Sequence, residues 1–207
     1  MGRILESVLA GIMAITSMSG IACTPDNVPK LTRDLVSRDV KEGKDFIGLI
    51  EGMWTIQTGE AMKGYADRFS NQLGLSAVAV SGNGRSLIPL AQEAHRNGRK
   101  VYLGGYSLGD DNAEDIAREC NKLGIPIEIL FLLDGTDAKQ IPPNVERVVY
   151  FRGTADTYAF RGKTYKRENL ENPETMLEVI PLNTTHLGVP NAAYGTVRDI
   201  LRRDQRK

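Results

Sequence analysis

The amino-acid sequence predicts an α/β fold in which a mainly parallel sheet is sandwiched between helices. Short apolar runs typical of buried strands alternate with amphipathic segments of helical spacing along most of the chain. Two strands that are connected through a helix usually lie parallel to each other in the sheet. The alternation therefore favours a parallel sheet. With 207 residues, the chain is long enough for one domain with a complete core.

The predicted elements divide the chain into three parts. Residues 1–23 form an apolar, signal-like or anchoring segment, residues 24–44 a polar linker with one short helix, and residues 45–207 the folded domain. Helices are expected after each of the first three strands and after the last, and a polar stretch at 157–173 is expected to lie over the surface. Apolar runs predict strands at 46–50, 77–80, 101–103, 127–133, 148–151 and 176–180.

The N-terminal segment predicts export. Its apolar run begins after Arg3 and ends in the small residues Gly20-Ile21-Ala22, a pattern typical of secretory signals. The residues up to Cys23 are similar to the lipidation motif of bacterial lipoproteins, so Cys23 is a candidate site of membrane attachment through a lipid. We expect a periplasmic or membrane-anchored protein. An apolar helix retained by a cytoplasmic protein is the alternative.

Composition excludes several classes of function. Lys and Arg (26) balance Asp and Glu (26), so nothing indicates nucleic acid or an acidic polymer as a partner. The two cysteines have neither the spacing of a metal site nor that of a disulfide framework. Only His95 and His186 are present, which excludes a multi-histidine metal centre and leaves two candidates for any histidine-dependent chemistry.

Gly105-Tyr106-Ser107-Leu108-Gly109 lies between a predicted strand and a predicted helix. In this context a Gly-x-Ser-x-Gly motif forms a sharp turn that exposes a nucleophilic serine. Such a turn requires neighbours without bulky side chains, which Gly105 and Gly109 supply. The alternative is a glycine-rich strand end without chemistry. Ser107 is therefore the candidate nucleophile.

A serine nucleophile needs a base, and the base needs an acid that orients it. Reactive groups of open α/β sheets follow the carboxyl ends of strands. His186 follows the last predicted strand and is the candidate base, whereas His95 lies near a polar helix end. Asp134 and Asp156 each follow a strand, so on this reasoning both remain candidate acids.

Residues 46–151 resemble the α/β-hydrolase superfamily, and within it the small thioesterase-like and esterase-like serine hydrolases. The order serine, aspartate, histidine is that of the superfamily. Leu133-Asp134-Gly135-Thr136 and Ile141-Pro142-Pro143-Asn144-Val145 are similar to segments of the thioesterase-like members, with Gly135 in place of a proline. The resemblance implies Asp134 as the acid. With no long insertion except 157–173, we expect a minimal fold with little or no lid.

Two backbone N–H groups are needed to bind a developing oxyanion. Leu108 follows the nucleophile at a helix start and is the first candidate. The superfamily often has His-Gly after its first strand, where this chain has Glu51-Gly52, so the resemblance places the second donor at Met53. Asp110 stands where relatives often have a small residue. Its carboxylate would lower activity unless it turns away as a helix cap.

These features predict a serine hydrolase that cleaves a small acyl ester or thioester through an acyl-enzyme, without a metal or other cofactor. The alternative is a catalytically inactive, hydrolase-like binding or structural protein of the cell envelope, favoured by Asp110 and the missing His-Gly dipeptide. A nucleotide-binding domain would rest on Gly82-Asn83-Gly84 alone, which lacks a third glycine and an acidic partner. The sequence makes no prediction of oligomeric state.

Overall fold

The computed structural model describes residues 30–52, 61–155 and 164–207. The predictions made for the segment 1–23, for lipidation at Cys23, for the oxyanion donor Met53 and for the second candidate acid Asp156 lie outside these residues. They stay predictions.

The described residues form one six-stranded sheet in the order β2-β1-β3-β4-β5-β6. Every neighbouring pair of strands is parallel, so the sheet is parallel throughout and not only in its main part. Strands β1 and β3 are buried along their whole length, because helices cover both faces. The strands are β1 Phe46–Ile50, β2 Ser76–Val80, β3 Val101–Tyr106, β4 Ile127–Leu133, β5 Val145–Gly153 and β6 Met176–Leu182.

Five described helices pack on the two faces of the sheet, with α1, α3 and α4 in one apolar core and α2 and α5 in the other. None of them is long and apolar enough to cross a membrane. Short 3-10 turns occur at Arg85–Leu87, Arg167–Asn169 and His186–Gly188. The helices are α1 Lys30–Lys41, α2 Ala61–Leu73, α3 Ile88–Arg96, α4 Leu108–Lys122 and α5 Val189–Asp204.

Helix α1 lies in the segment 24–44, which was expected to be a linker with one short helix, but it packs into the domain. Val36 and Val40, four residues apart on one face, are buried in the same core as helix α3. The folded unit therefore begins before residue 45. Polar residues on the solvent-facing side of a surface helix give the segment the composition of a linker, which explains the different boundary.

Strand β3 extends three residues beyond its predicted end, through Gly104 and Gly105 to Tyr106. Glycine disfavours strands, which is why the sequence pattern ends the strand at residue 103. In the sheet, a Cβ atom at Gly104 would lie 3.0 Å from a Leu49 side-chain carbon and 3.3 Å from the Phe131 carbonyl oxygen. Close packing between the neighbouring strands therefore requires glycine here, and it carries β3 directly to Ser107.

The described part of the polar stretch 157–173 is anchored to the core by Tyr165. This side chain is buried, its ring packs edge-on against Tyr150 at 4.9 Å between centroids, and its hydroxyl donates to Glu114. The 3-10 turn Arg167–Asn169 that follows contains no buried residue. The stretch thus lies over the surface as expected, but one aromatic side chain reaches inward.

Candidate active site

Ser107 alone separates the last residue of β3 from the first residue of α4. Its backbone has φ 57° and ψ −124°, and its N–H donates to the Leu133 carbonyl oxygen at 3.0 Å. A positive φ costs a non-glycine residue about 1–3 kcal/mol, and such strain concentrates at functional sites. Among the described residues, the non-glycine positions with positive φ are Ser107 and Asp134.

Two glycines make this turn sterically feasible. A Cβ atom at Gly105 would lie 2.2 Å from the Gly109 carbonyl oxygen, and one at Gly109 would lie 2.2 Å from the Ile50 carbonyl oxygen. Both contacts are with backbone, which cannot move aside as a flexible side chain can. The Gly-x-Ser-x-Gly pattern is therefore required by the close approach of α4, β3 and β1.

We expect Gly109→Ala to lower the free energy of unfolding by at least about 2 kcal/mol, because the new methyl group would overlap the β1 backbone. The matched control is Gly195→Ala in helix α5, where a Cβ atom would meet nothing within 4 Å. There the better helix propensity of alanine should raise stability by about 1 kcal/mol or less. Urea unfolding monitored by circular dichroism measures both changes. Equal stabilities of the two variants would contradict the steric argument.

Ser107, His186 and Asp134 form one continuous chain of hydrogen-bonded side chains. His186 Nε2 lies 3.0 Å from Ser107 Oγ, and His186 Nδ1 lies 2.8 Å from Asp134 Oδ2. All three residues are buried. They follow the carboxyl ends of β3, β6 and β4, so they meet at the edge of the sheet where the sequence analysis placed them.

Asp134 is held by the backbone of β5. Its N–H donates to the Phe151 carbonyl oxygen at 2.8 Å, and its Oδ1 accepts a hydrogen bond from the Gly153 N–H at 3.0 Å. One carboxylate oxygen is thereby directed to β5 and the other to His186. The contact with His186 favours Asp134 over Asp156 as its partner.

His186 begins the 3-10 turn that follows β6, and Tyr106 holds it from the side. The two rings are stacked with centroids 5.1 Å apart and planes inclined by 25°. The Tyr106 hydroxyl also donates to the His186 carbonyl oxygen at 3.2 Å. Sequence analysis missed this contact, although Tyr106 directly precedes the nucleophile. The other histidine, His95, is exposed near the end of α3, as expected.

The backbone around Ser107 has features of an oxyanion site. The Leu108 N–H belongs to the first turn of the 15-residue helix α4, where backbone N–H groups have no acceptor within the helix. A Cβ atom at Gly52 would lie 2.9 Å from Ser107 Cβ and 2.8 Å from the Tyr106 carbonyl oxygen. The chain after β1 therefore passes directly against Ser107, immediately before Met53.

Asp110 directs its side chain to the end of β4 and does not form the α4 cap that the sequence analysis expected for a harmless position. Its side chain is fully buried, and its Oδ1 accepts a hydrogen bond from the Leu133 N–H at 2.7 Å. Burial raises the pKa of the Asp110 carboxyl well above its usual value, and the nearby acids Glu114, Asp111 and Asp134 add to this shift. The charged form is therefore disfavoured, which weakens the expected repulsion of an oxyanion.

Glu114, one helical turn after Asp110, is a further buried acid that the sequence analysis missed. Burial raises the pKa of its carboxyl to about 9, and Asp111 acts in the same direction. The Tyr165 hydroxyl donates to its Oε1. The sequence did contain a signal for this pair of buried acids. Asp110 and Glu114 are four residues apart, next to the apolar residues Ala113 and Ala117, on the helix face that the core covers.

The fold is similar to those of several solved hydrolases. A bacterial heroin esterase has a TM-score of 0.53 at 12% identity, over 78% of this chain and 75% of that chain. An esterase from the archaeon Pyrobaculum calidifontis has a TM-score of 0.53 at 10% identity, over 78% and 77%. The thioesterase domain that cyclises the lipopeptide antibiotic surfactin has a TM-score of 0.50 at 11% identity, over 78% and 93%. No protein-family model matches the sequence, and no curated protein matches it.

The parallel sheet, its flanking helices and these structural likenesses show that the chain has an α/β-hydrolase fold. The predicted fold is thereby confirmed.

Proposed function

We propose that the protein is a serine hydrolase that cleaves an ester or thioester of a small acyl group through an acyl-enzyme. The observation that carries this proposal is the hydrogen-bonded chain from Ser107 through His186 to Asp134, at the carboxyl edge of the sheet. A nucleophile, a base and an orienting acid are the groups that acyl transfer requires.

The hydrogen bonds define a role for each ring nitrogen of His186. Asp134 Oδ2 is an acceptor when ionised, so Nδ1 carries the proton of the neutral imidazole and donates it to Asp134. Nε2 is then free of a proton and accepts the hydrogen bond of the Ser107 hydroxyl. In this tautomer, His186 removes the hydroxyl proton as Ser107 attacks the acyl carbon. Asp134 stabilises the imidazolium that forms.

The negative charge that develops on the acyl oxygen would be bound by backbone N–H groups. The Leu108 N–H is one proposed donor, because it lies next to the nucleophile at the positive end of the α4 dipole. The Met53 N–H is the second, since Gly52 packs against Ser107. His186 then returns its proton to the leaving group, and a water molecule activated by the same nitrogen releases the acyl group.

Two exposed leucines support an apolar acyl group as substrate. Leu108 directly follows the nucleophile and is 36% exposed, and Leu187 directly follows the base and is 51% exposed. Large exposed apolar side chains next to reactive groups provide a surface that contacts an acyl chain. The structural neighbours whose names describe esterases and a thioesterase are consistent with ester or thioester substrates.

A fluorophosphonate probe tests the proposal, because it reacts covalently with an activated serine. We expect the probe to label the folded wild-type protein and to leave Ser107→Ala unlabelled. The matched control is Ser76→Ala, which removes a buried serine hydroxyl in β2. This variant should be labelled like the wild type. A folded wild-type protein that stays unlabelled would contradict the hydrolase proposal and favour the binding or structural alternative.

A further inference from the structure

Leu133, the residue before Asp134, is tied to the turn at Ser107 through both its backbone C=O and its backbone N–H. The Leu133 carbonyl oxygen accepts the Ser107 N–H at 3.0 Å. The Leu133 N–H donates to Asp110 Oδ1 at 2.7 Å. Ser107 and Asp110 lie within one turn at the start of α4. This one short segment therefore holds the end of β4, which Asp134 follows.

The Asp110 carboxyl fills the space directly beside the corner formed by residues 133–135. A Cβ atom at Gly135 would lie 2.7 Å from both Cβ and Oδ2 of Asp110. At the apex of this corner, Asp134 has a φ of 57°, a conformation that a non-glycine residue keeps only where its surroundings constrain it. Asp110 therefore provides one wall of the corner and a hydrogen-bond acceptor for its backbone.

We propose that Asp110 is a positioning residue: it holds the Leu133 backbone so that Asp134 Oδ2 stays within hydrogen-bond distance of His186 Nδ1. The inference rests on the proposed hydrolase function, and it assigns to Asp110 an action through Asp134 rather than on the substrate. Buried N–H groups without an acceptor are rare and costly, so without the Asp110 carboxyl the Leu133 N–H must either move or stay unpaired. A move displaces Asp134 directly, and an unpaired N–H removes the contact that fixes the strand end before Asp134.

Asp110 performs this role as a hydrogen-bond acceptor and not as a charge. The ionisable groups that face it are Asp111 and Glu114 on its own helix, Asp134 at the end of β4 and Tyr150 on β5. All of these become negative when they ionise, and among the described residues no cation pairs with Asp110. Burial and these neighbours raise the pKa of the Asp110 carboxyl, which disfavours its charged form. An amide of the same shape offers the same acceptor oxygen, so asparagine should replace it.

Three variants at this position separate the possibilities in hydrolysis of p-nitrophenyl acetate. Asp110→Ala should lower kcat by about 10²-fold per folded molecule, because a displacement of about 1 Å in a catalytic group has an effect of this size. KM should change less than threefold, since Asp110 does not contact the substrate. Asp110→Leu, which fills the space without an acceptor, should behave like Asp110→Ala. Asp110→Asn should restore at least one third of the wild-type kcat with the wild-type pH profile.

The matched control is Glu114→Gln, which alters another buried carboxyl of the same helix. Glu114 contacts Tyr165 and not the end of β4, so this variant should change kcat less than twofold. Wild-type kcat per folded molecule in Asp110→Ala or Asp110→Leu would overturn the proposal. An inactive Asp110→Asn variant would also overturn it. So would a shift of the acidic limb in the pH dependence of kcat for Asp110→Asn. If neither apolar variant folds, the exchange rate of the Leu133 amide hydrogen in the wild-type protein tests the proposal. Rapid exchange would overturn it.

The activity of Ser107→Ala distinguishes a failure of this inference from a failure of the proposed function. A wild-type protein with no more activity than Ser107→Ala would remove the hydrolase function itself. An active wild type whose activity depends on Ser107, together with fully active Asp110 variants, would remove only the role of Asp110.

Discussion

Replacing Asp134 with asparagine should lower kcat by about 10⁴-fold while leaving the fold intact. The direction follows from the two hydrogen bonds of the carboxylate. The Gly153 N–H needs an acceptor, so the amide oxygen of asparagine would take the place of Oδ1. The amide NH₂ would then face His186 Nδ1, where Oδ2 now lies. It would force Nδ1 to act as an acceptor and Nε2 to carry the proton, and this tautomer cannot remove the proton of Ser107.

The effect is measured as kcat for p-nitrophenyl acetate, with circular dichroism to show that the variant is folded. The matched control is Asp115→Asn, which neutralises an exposed carboxylate of α4 that pairs with Lys139 at 2.9 Å. Its kcat should be that of the wild type. A kcat of Asp134→Asn above one tenth of the wild-type value would exclude Asp134 as the acid. A large loss in Asp156→Asn would then assign the acid to that position.

The protein should become less stable as the pH rises from 5 to 9, and Glu114 should account for much of this change. A carboxyl whose pKa is higher in the folded than in the unfolded protein binds more protons when folded. Between the unfolded pKa, ordinarily 4.5, and the folded value of about 9, each pH unit therefore costs stability. The slope is up to about 1.4 kcal/mol per pH unit for one group. Asp110 acts in the same direction because its pKa is also raised.

Urea unfolding at pH 5, 7 and 9 measures this slope. Glu114→Gln should reduce it, because glutamine has no proton to lose. The contribution of Asp110 then remains. Glu119→Gln is the matched control, since Glu119 is an exposed acid of the same helix that pairs with Lys122. It should leave the slope between pH 5 and 9 unchanged. Identical slopes in the wild type and Glu114→Gln would show that folding does not raise the pKa of Glu114.

Much of the fold could be predicted because its signals are local. Strand β4 was predicted at its observed bounds, since seven consecutive residues, six of them apolar, lie between polar loops. The serine turn could be predicted for the same reason, because the strand, the glycines and the helix start all lie within a few residues of Ser107. His186 followed from its place after the last strand, combined with the rule that reactive groups collect at one edge of a parallel sheet. The same rule left Asp134 and Asp156 as candidate acids, and only the resemblance to thioesterase-like hydrolases favoured Asp134.

The rest depends on contacts between distant parts of the chain. The role of Asp110 requires the register in which Tyr106 pairs with Leu133, and no local pattern reveals that register. Helix α1 has the composition of a linker, and only its packing against α3 shows that it belongs to the domain. Strand β3 continues through Gly104, although glycine disfavours strands, because the neighbouring strands pack closely there.

The register of the three central strands also determines where the chain tolerates a change in length. Tyr106 pairs with Leu133, and Leu133 pairs with Phe151, so Ser107 and Asp134 follow neighbouring strands at the same level. Inserting one residue into β4 would move Asp134 along the strand by about 3.3 Å and turn its side chain to the opposite face of the sheet. Insertions within the segment 134–144 after Asp134, or at the surface ends of helices, leave this alignment unchanged. Descendants of this chain can therefore diverge in loop and helix length, whereas the number of residues in β4 must stay the same for the three side chains to meet.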